Sequence, residues 1–146
     1  MSTPRSHIRM VSGYMDEAFD DPDKITARVR NLLKGVKYDT LVGTGLSGTL
    51  VVPHVARTLG KHWLIVRKPN DGTHSWHRAE GELGKRWVFL DDFVDTGATR
   101  DRVIDVVHNE AGTQRFTTRF VGTCEYHDSC DRRPRFVHSA EMMISN

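Results

Sequence analysis

The residues with the clearest capacity for chemistry lie in one stretch, Trp87-Val88-Phe89-Leu90-Asp91-Asp92-Phe93-Val94-Asp95-Thr96-Gly97-Ala98-Thr99. Four apolar residues lead into an acidic pair, two more lead into a third Asp, and Thr-Gly-Ala-Thr then opens a segment of helical periodicity. Backbone N–H groups and two hydroxyls at a helix N-terminus make a seat for a phosphate. Asp91 and Asp92 fall at the carboxyl end of the preceding strand, where open α/β sheets bind ligands. Carboxylates beside an anion site repel the anion unless they hold hydroxyls or a divalent cation. A sugar with vicinal hydroxyls, a phosphate and a bound Mg2+ meets both demands. The structural alternative is an acidic strand end beside a helix cap, for which an acidic pair followed by Thr-Gly-x-Thr has no packing rationale.

A second candidate is Gly43-Thr44-Gly45-Leu46-Ser47-Gly48, which follows a short apolar run and precedes a helical pattern. Glycines there let backbone N–H groups close around phosphate oxygens. The spacing also spells the dinucleotide fingerprint, but that motif wants an acidic residue about twenty positions on to hold ribose hydroxyls. Arg67-Lys68 stands at that place. A dinucleotide-binding sheet and a plain tight strand-to-helix turn are the alternatives for this loop.

The elements that must carry these loops are legible from periodicity. Ile25, Val29, Leu32 and Leu33 recur at helical spacing behind Asp21-Pro22-Asp23, which offers a cap and a first-turn proline. Strands are expected at Tyr38–Val42, His62–Val66, Trp87–Leu90 and 115–122, with a further one at Arg135–His138. Helices are expected from about Thr49 to Leu59, and from about Arg100 to Glu110 with an end at Gly112. Between Arg67 and Arg86 no periodicity survives, and a stretch of about twenty such residues inside a domain is usually functional or disordered. Strands alternating with helices imply right-handed crossovers and a mainly parallel, twisted α/β sheet covered by helices on both faces.

The chain has 146 residues, which is room for a single domain, here taken as 1–146. With 38% hydrophobic and 27% charged residues it reads as globular, against collagen-like, coiled-coil or disulfide-dense classes. Its apolar runs are far short of the roughly 20 residues that span a bilayer, and the N-terminus lacks the apolar core of a secretory signal. A cytoplasmic protein without a membrane partner is therefore expected, with Cys124 and Cys130 reduced. The formal net charge of +2 is too mild for a nucleic-acid partner. A homodimer is compatible with the sequence.

The segment Val88–Thr99 resembles the 5-phosphoribosyl-1-pyrophosphate (PRPP) signature of the type I phosphoribosyltransferases and matches it at every class position. Gly43–Gly48 then resembles the family's pyrophosphate loop, and Arg67-Lys68-Pro69 the basic strand end that opens its flexible catalytic loop. The resemblance runs in family order over about Tyr38 to Gly122. It implies that Asp91 and Asp92 hold the ribose hydroxyls, with Mg2+ reached directly or through water. It further implies that Asp95, Thr96, Gly97, Ala98 and Thr99 form the phosphate turn. Pyrophosphate would lie against Thr44, Gly45, Leu46, Ser47 and Gly48, with Lys68 and Arg67 compensating its charge. The implied reaction is displacement of pyrophosphate from ribose C1 by a ring nitrogen of a nucleobase, as in nucleotide salvage or synthesis, with Lys68 and Asp95 as catalytic residues. The flexible loop would be about 69–85, and a small hood would come from about 1–22 and 123–146.

Three departures from the family keep other readings open. Asp95 resembles the carboxylate of members that use 6-oxopurines and is the candidate general base; its structural alternative is a loop cap. Those members place a Lys on the strand after the helix, and 119–124 has none, whereas Arg67-Lys68-Pro69 leans toward the orotate and adenine branches. The acceptor base stays open. Leu46 stands where a basic residue is often found, which favours the alternative of a catalytically silent PRPP-binding regulator. His74, His77, Arg78, Lys85 and Arg86 of the long loop are either solvated or in contact with PRPP, and Trp76 is a candidate for stacking on a base. Trp63 and Trp87 read as core. Cys124, His127, Cys130 and His138 have a spacing that fits no common zinc module.

Overall fold

The computed structural model describes residues 4–69 and 77–144. A 3-10 turn at Gly13–Met15 leads into α1 (Asp16–Asp20) and α2 (Pro22–Leu32), followed by β1 (Thr40–Thr44), α3 (Gly45–Leu59) and β2 (His62–Val66). Next come β3 (Ala79–Gly81), β4 (Arg86–Asp91), α4 (Ala98–Thr113), β5 (Arg119–Glu125), β6 (Arg135–His138) and α5 (Ser139–Ile144). Among the described residues the strands form one six-stranded sheet in the order β3-β2-β1-β4-β5-β6. The four inner strands are parallel, and only the edge strands β3 and β6 run antiparallel to their neighbours.

Alternation along the strands assigns each residue to a face. Leu41, Val88 and Leu90 point to one side, where Ile25 and Val29 of α2 and Val51, Val52, Val55 and Ala56 of α3 cover them. Val42, Leu64, Val66, Trp87 and Phe89 point to the other and pack on Val103, Val106 and Val107 of α4. Because both faces are covered, β1 and residues 87–90 of β4 are buried throughout and read in sequence as continuous apolar runs. This is the α/β sheet with helices on both faces that the alternating pattern implies.

Several boundaries shift, each for a local reason. β1 occupies Thr40–Thr44 rather than Tyr38–Val42, since Gly43 and Thr44 pair with Ile65 and Val66 while Asp39 turns its carboxylate to the amides of Lys85 and Arg86. α3 begins at Gly45 and not near Thr49, because Gly45 at φ +74° reverses the chain within one residue. The expected loop Gly43–Gly48 is thus a strand end joined to a first helical turn. α4 runs through Gly112 to Thr113, and β5 starts at Arg119 rather than Arg115, which adopts φ 57° in the turn between them. The segment read as structureless contains β3, and residues 70–76, with His74 and Trp76, lie outside the described residues.

Candidate functional site

The chain order around the sheet decides where the motifs meet. From β1 the chain crosses to β2 on one side, and β4 then pairs with β1 on the other, so the strand order reverses between β1 and β4. Crevices at such reversal points, outside the carboxyl ends of the strands, are the usual ligand sites of α/β sheets. Here Thr44 ends one strand and Asp91 the other.

The cavity at this point has a volume of about 330 Å³ and brings together Thr44, Gly45, Leu46, Ser47, Lys68, Asp91, Asp92, Asp95, Thr96, Gly97 and Thr99. These are eleven of the residues singled out from sequence. Gly48, Arg67 and Ala98 are not among its lining residues. Arg67 instead donates from Nη2 to Glu80 Oε1 at 2.8 Å, on the β3 side. Lys85 and Arg86 stand at the opposite end of β4 from Asp91, so they face away from the cavity mouth. His77 lines a different, larger cavity of about 570 Å³ between β3 and the end of α4, which holds none of the motifs.

The three glycines of the first motif serve different purposes. A methyl on Gly43 would come within 2.5 Å of Val52 Cγ2, and one on Gly48 within 3.2 Å of the Gly43 carbonyl carbon. Those two positions let α3 lie directly on β1. Gly45 carries the turn, and a methyl there would meet Lys68 Cε at 3.3 Å, so the lysine lies across the Gly45 backbone. Thr44 donates its hydroxyl to the Val66 carbonyl at 2.7 Å and ties the ends of β1 and β2 together. Leu46 is 70% exposed at the rim.

On the β4 side the loop is held by its own carboxylates. The Asp92 N–H donates to Asp91 Oδ1 at 2.9 Å and the Phe93 N–H to Asp92 Oδ1 at 2.7 Å. Burial pushes the Asp91 carboxyl up to about 8, helped by its hydrogen bond with Asp92 and the Asp92 charge, with a smaller push from Glu125. Glu125 itself is buried. One oxygen accepts the Val94 N–H at 2.8 Å and the other the Arg135 Nε–H at 2.7 Å. Sequence reasoning missed Glu125; its signal was its place at the end of β5, in register with Asp91. At the start of α4, Gly97 takes φ +86° and the Ala98 N–H donates to Thr96 Oγ1 at 3.3 Å, forming the turn expected to seat a phosphate.

Four further residue groups enter that were not expected. Tyr14, half exposed, stands at the cavity mouth, and Phe93 and Val94 line it beside the acidic pair. Arg100 and Arg102 bring guanidinium groups from α4. Arg132 lies over the Phe93 ring at 4.3 Å and 3.6 Å from Asp95. It also borders an adjoining cavity of about 320 Å³ with His127, Asp131, Arg133 and Arg135. Cys124 is buried with its thiol pushed up to about 12 by that burial, and Cys130 is exposed. Among the described residues no three His, Cys, Asp or Glu side chains converge as a metal cage. Nor, among them, is any helix long and apolar enough to cross a membrane.

No family model matches the sequence. Solved structures do match the fold. Leishmania donovani UMP synthase shares 17% identity at a TM-score of 0.57, over 75% of this chain and 22% of that one. Mycobacterium tuberculosis H37Rv orotate phosphoribosyltransferase in complex with PRPP shares 21% identity at 0.53, over 75% and 63%. Adenine phosphoribosyltransferase from Thermoanaerobacter pseudethanolicus shares 18% at 0.50, over 75% and 74%. The match therefore spans about a fifth of the first protein and less than two thirds of the second. At these identities the likeness is one of fold: the chain has the α/β architecture of the type I phosphoribosyltransferases.

Proposed function

We propose that the chain is a PRPP-dependent phosphoribosyltransferase that transfers the phosphoribosyl group to a ring nitrogen of a nucleobase with release of pyrophosphate. The observation that carries this reading is the meeting of the glycine turn, the acidic pair and the phosphate turn around one cavity at the β1/β4 reversal. Three cations, Lys68, Arg100 and Arg102, face three carboxylates, Asp91, Asp92 and Asp95, in that space. Such a mixed lining suits a sugar whose hydroxyls meet carboxylates while its phosphates meet cations and amides.

In this reading Asp91 and Asp92 accept the ribose 2′- and 3′-hydroxyls, residues 96–99 seat the 5′-phosphate, and Gly45 to Ser47 with Lys68 receive the pyrophosphate. The C1–O bond to pyrophosphate breaks as the ring nitrogen adds to C1. Fixing both partners and stabilising the departing polyanion supply the rate, which calls for preorganised cations more than for covalent chemistry. Asp95, exposed and 3.6 Å from Arg132, takes the proton released from the base in this reading. The donor set fits Mg2+, since that ion commonly uses one or two carboxylates together with substrate phosphates, and Asp91 and Asp92 would hold it. When bound, Mg2+ would neutralise charge on the leaving pyrophosphate.

One feature favours a silent PRPP-binding regulator as the second reading: exposed Leu46 leaves the glycine turn without a charge of its own. A dinucleotide site is disfavoured by Arg67 and Lys68 at the end of β2 and by the antiparallel edges, which differ from two βαβαβ halves. The deciding experiment incubates the protein with PRPP and Mg2+ plus orotate, uracil, adenine, hypoxanthine, guanine, xanthine or nicotinate and follows pyrophosphate. Release with one base is the expected result. PRPP binding with every base silent would establish the regulator, and NADPH binding without PRPP binding would establish the dinucleotide reading.

A further inference from the structure

Two arginines of α4 that no motif contains reach the cavity, and they reach opposite ends of it. Positions two apart on a helix do not face each other, and the contacts of Arg100 and Arg102 diverge accordingly. Arg102 bends over the strand ends. Its Nη1 donates to the Arg67 carbonyl at 3.0 Å and its Nη2 to Thr44 Oγ1 at 3.2 Å, beside the glycine turn and Lys68. Arg100 folds back the other way. Its guanidinium lies on Gly97, where a methyl would meet Nη2 at 2.6 Å and Cζ at 3.1 Å, and its Nε is 3.3 Å from Asp101 Oδ1. The Arg100 side chain is 24% exposed.

A long cationic side chain on a helix ordinarily runs its head out into water. Here both heads are drawn in over anion-seating backbone, one at each end of the cavity, while the rim position of the glycine turn holds an uncharged leucine. Resting on the phosphoribosyl reading, we infer that α4 supplies the anion-binding charge the glycine turn lacks. Arg102 takes the diphosphate group together with Lys68, and Arg100 takes the single phosphate on the 96–99 turn. The competing view makes Arg102 a brace between Thr44 and Arg67, and Arg100 a partner of Asp101 alone.

Calorimetric titration of the full chain with three probes separates the two views: Mg2+-pyrophosphate, ribose 5-phosphate and Mg2+-PRPP. Losing one charge-assisted contact is expected to weaken binding by about ten- to a hundred-fold. Arg102→Met should lower affinity for pyrophosphate and PRPP by that factor and leave ribose 5-phosphate unchanged. Arg100→Met should lower ribose 5-phosphate and PRPP and leave pyrophosphate unchanged. Arg102→Gln keeps a polar side chain without the charge, too short to reach both Thr44 and the Arg67 carbonyl, and Arg102→Lys keeps the charge without the fork. With the inference correct, pyrophosphate binding is lost in the Gln variant and largely kept in the Lys variant, although both give up the forked bonds to Thr44 and the Arg67 carbonyl and so lose similar thermal stability. Equal weakening toward all three probes with a lowered midpoint, or binding like the parent in both Met variants, overturns the inference while the parent's own binding stands. A parent chain that binds none of the three probes refutes the phosphoribosyl reading, and this one with it.

Discussion

Asp91→Asn should make the ligand-free protein more stable, increasingly so as the pH rises. The folded chain holds the Asp91 carboxyl at about 8 against an ordinary 3.8, through burial first and Asp92 second. Between those values the folded state keeps a proton on the acidic pair that the unfolded chain has released. The folded state then binds more protons than the unfolded one, so stability falls as the pH rises. The contribution is intact below about pH 4, is lost progressively up to about pH 8, and levels off beyond. One proton corresponds to about 1.4 kcal/mol per pH unit, or about 2–3 kcal/mol between pH 5 and 7. That is a large share of the roughly 5–15 kcal/mol that holds a domain together. Asparagine keeps the shape and the Oδ1 acceptor for the Asp92 N–H but has no proton to lose. Urea denaturation of both proteins at pH 5, 6, 7 and 8 in metal-free buffer measures the gap, which should widen by that amount at constant m. A gap that stays the same at every pH would refute the reasoning. On the proposed function, the same substitution is expected to abolish binding of Mg2+-PRPP, which the same titration with ligand would check.

Gly43→Ala forces a methyl against Val52 and should cost about 1–3 kcal/mol in denaturation. Gly45→Ala meets left-handed strain of about 1–2 kcal/mol and displaces Lys68, so it should weaken pyrophosphate binding as well. Wild-type stability in Gly43→Ala would show that α3 can lift off β1. Glu17 accepts both Arg28 Nη groups, at 2.6 and 2.9 Å, and that pairing holds its carboxyl below the usual 4.5. Its contribution is present above that value and is lost as the pH falls through the lowered one. Arg28→Met should therefore flatten the acid limb of the stability profile, as circular dichroism between pH 2 and 5 would record.

The loops and the helical faces were legible because they are local. Capping by Asp21 and Pro22, the 3.6-residue spacing of Ile25 and Val29, and the apolar run Trp87–Leu90 each follow from sterics and burial within a few neighbouring residues. The Thr96–Thr99 turn and the acidic pair were legible for the same reason. The glycines were found but their division of labour was not, since Gly43 and Gly48 are required by contact with each other and with Val52 across two elements. Element ends also moved. Gly45 turns the chain in one residue, and the reach of β1 to Thr44 is set by pairing with β2, which lies eighteen residues beyond it in sequence between Thr44 and His62. Periodicity says which face of a strand is apolar and nothing about which strand lies beside it. That choice is made by the summed burial of both sheet faces, and it alone set β4 against β1 and so closed one cavity from two distant motifs. The positions of Tyr14, Arg100, Arg102 and Glu125 followed from it, because where a long side chain ends depends on what the packed neighbours leave open.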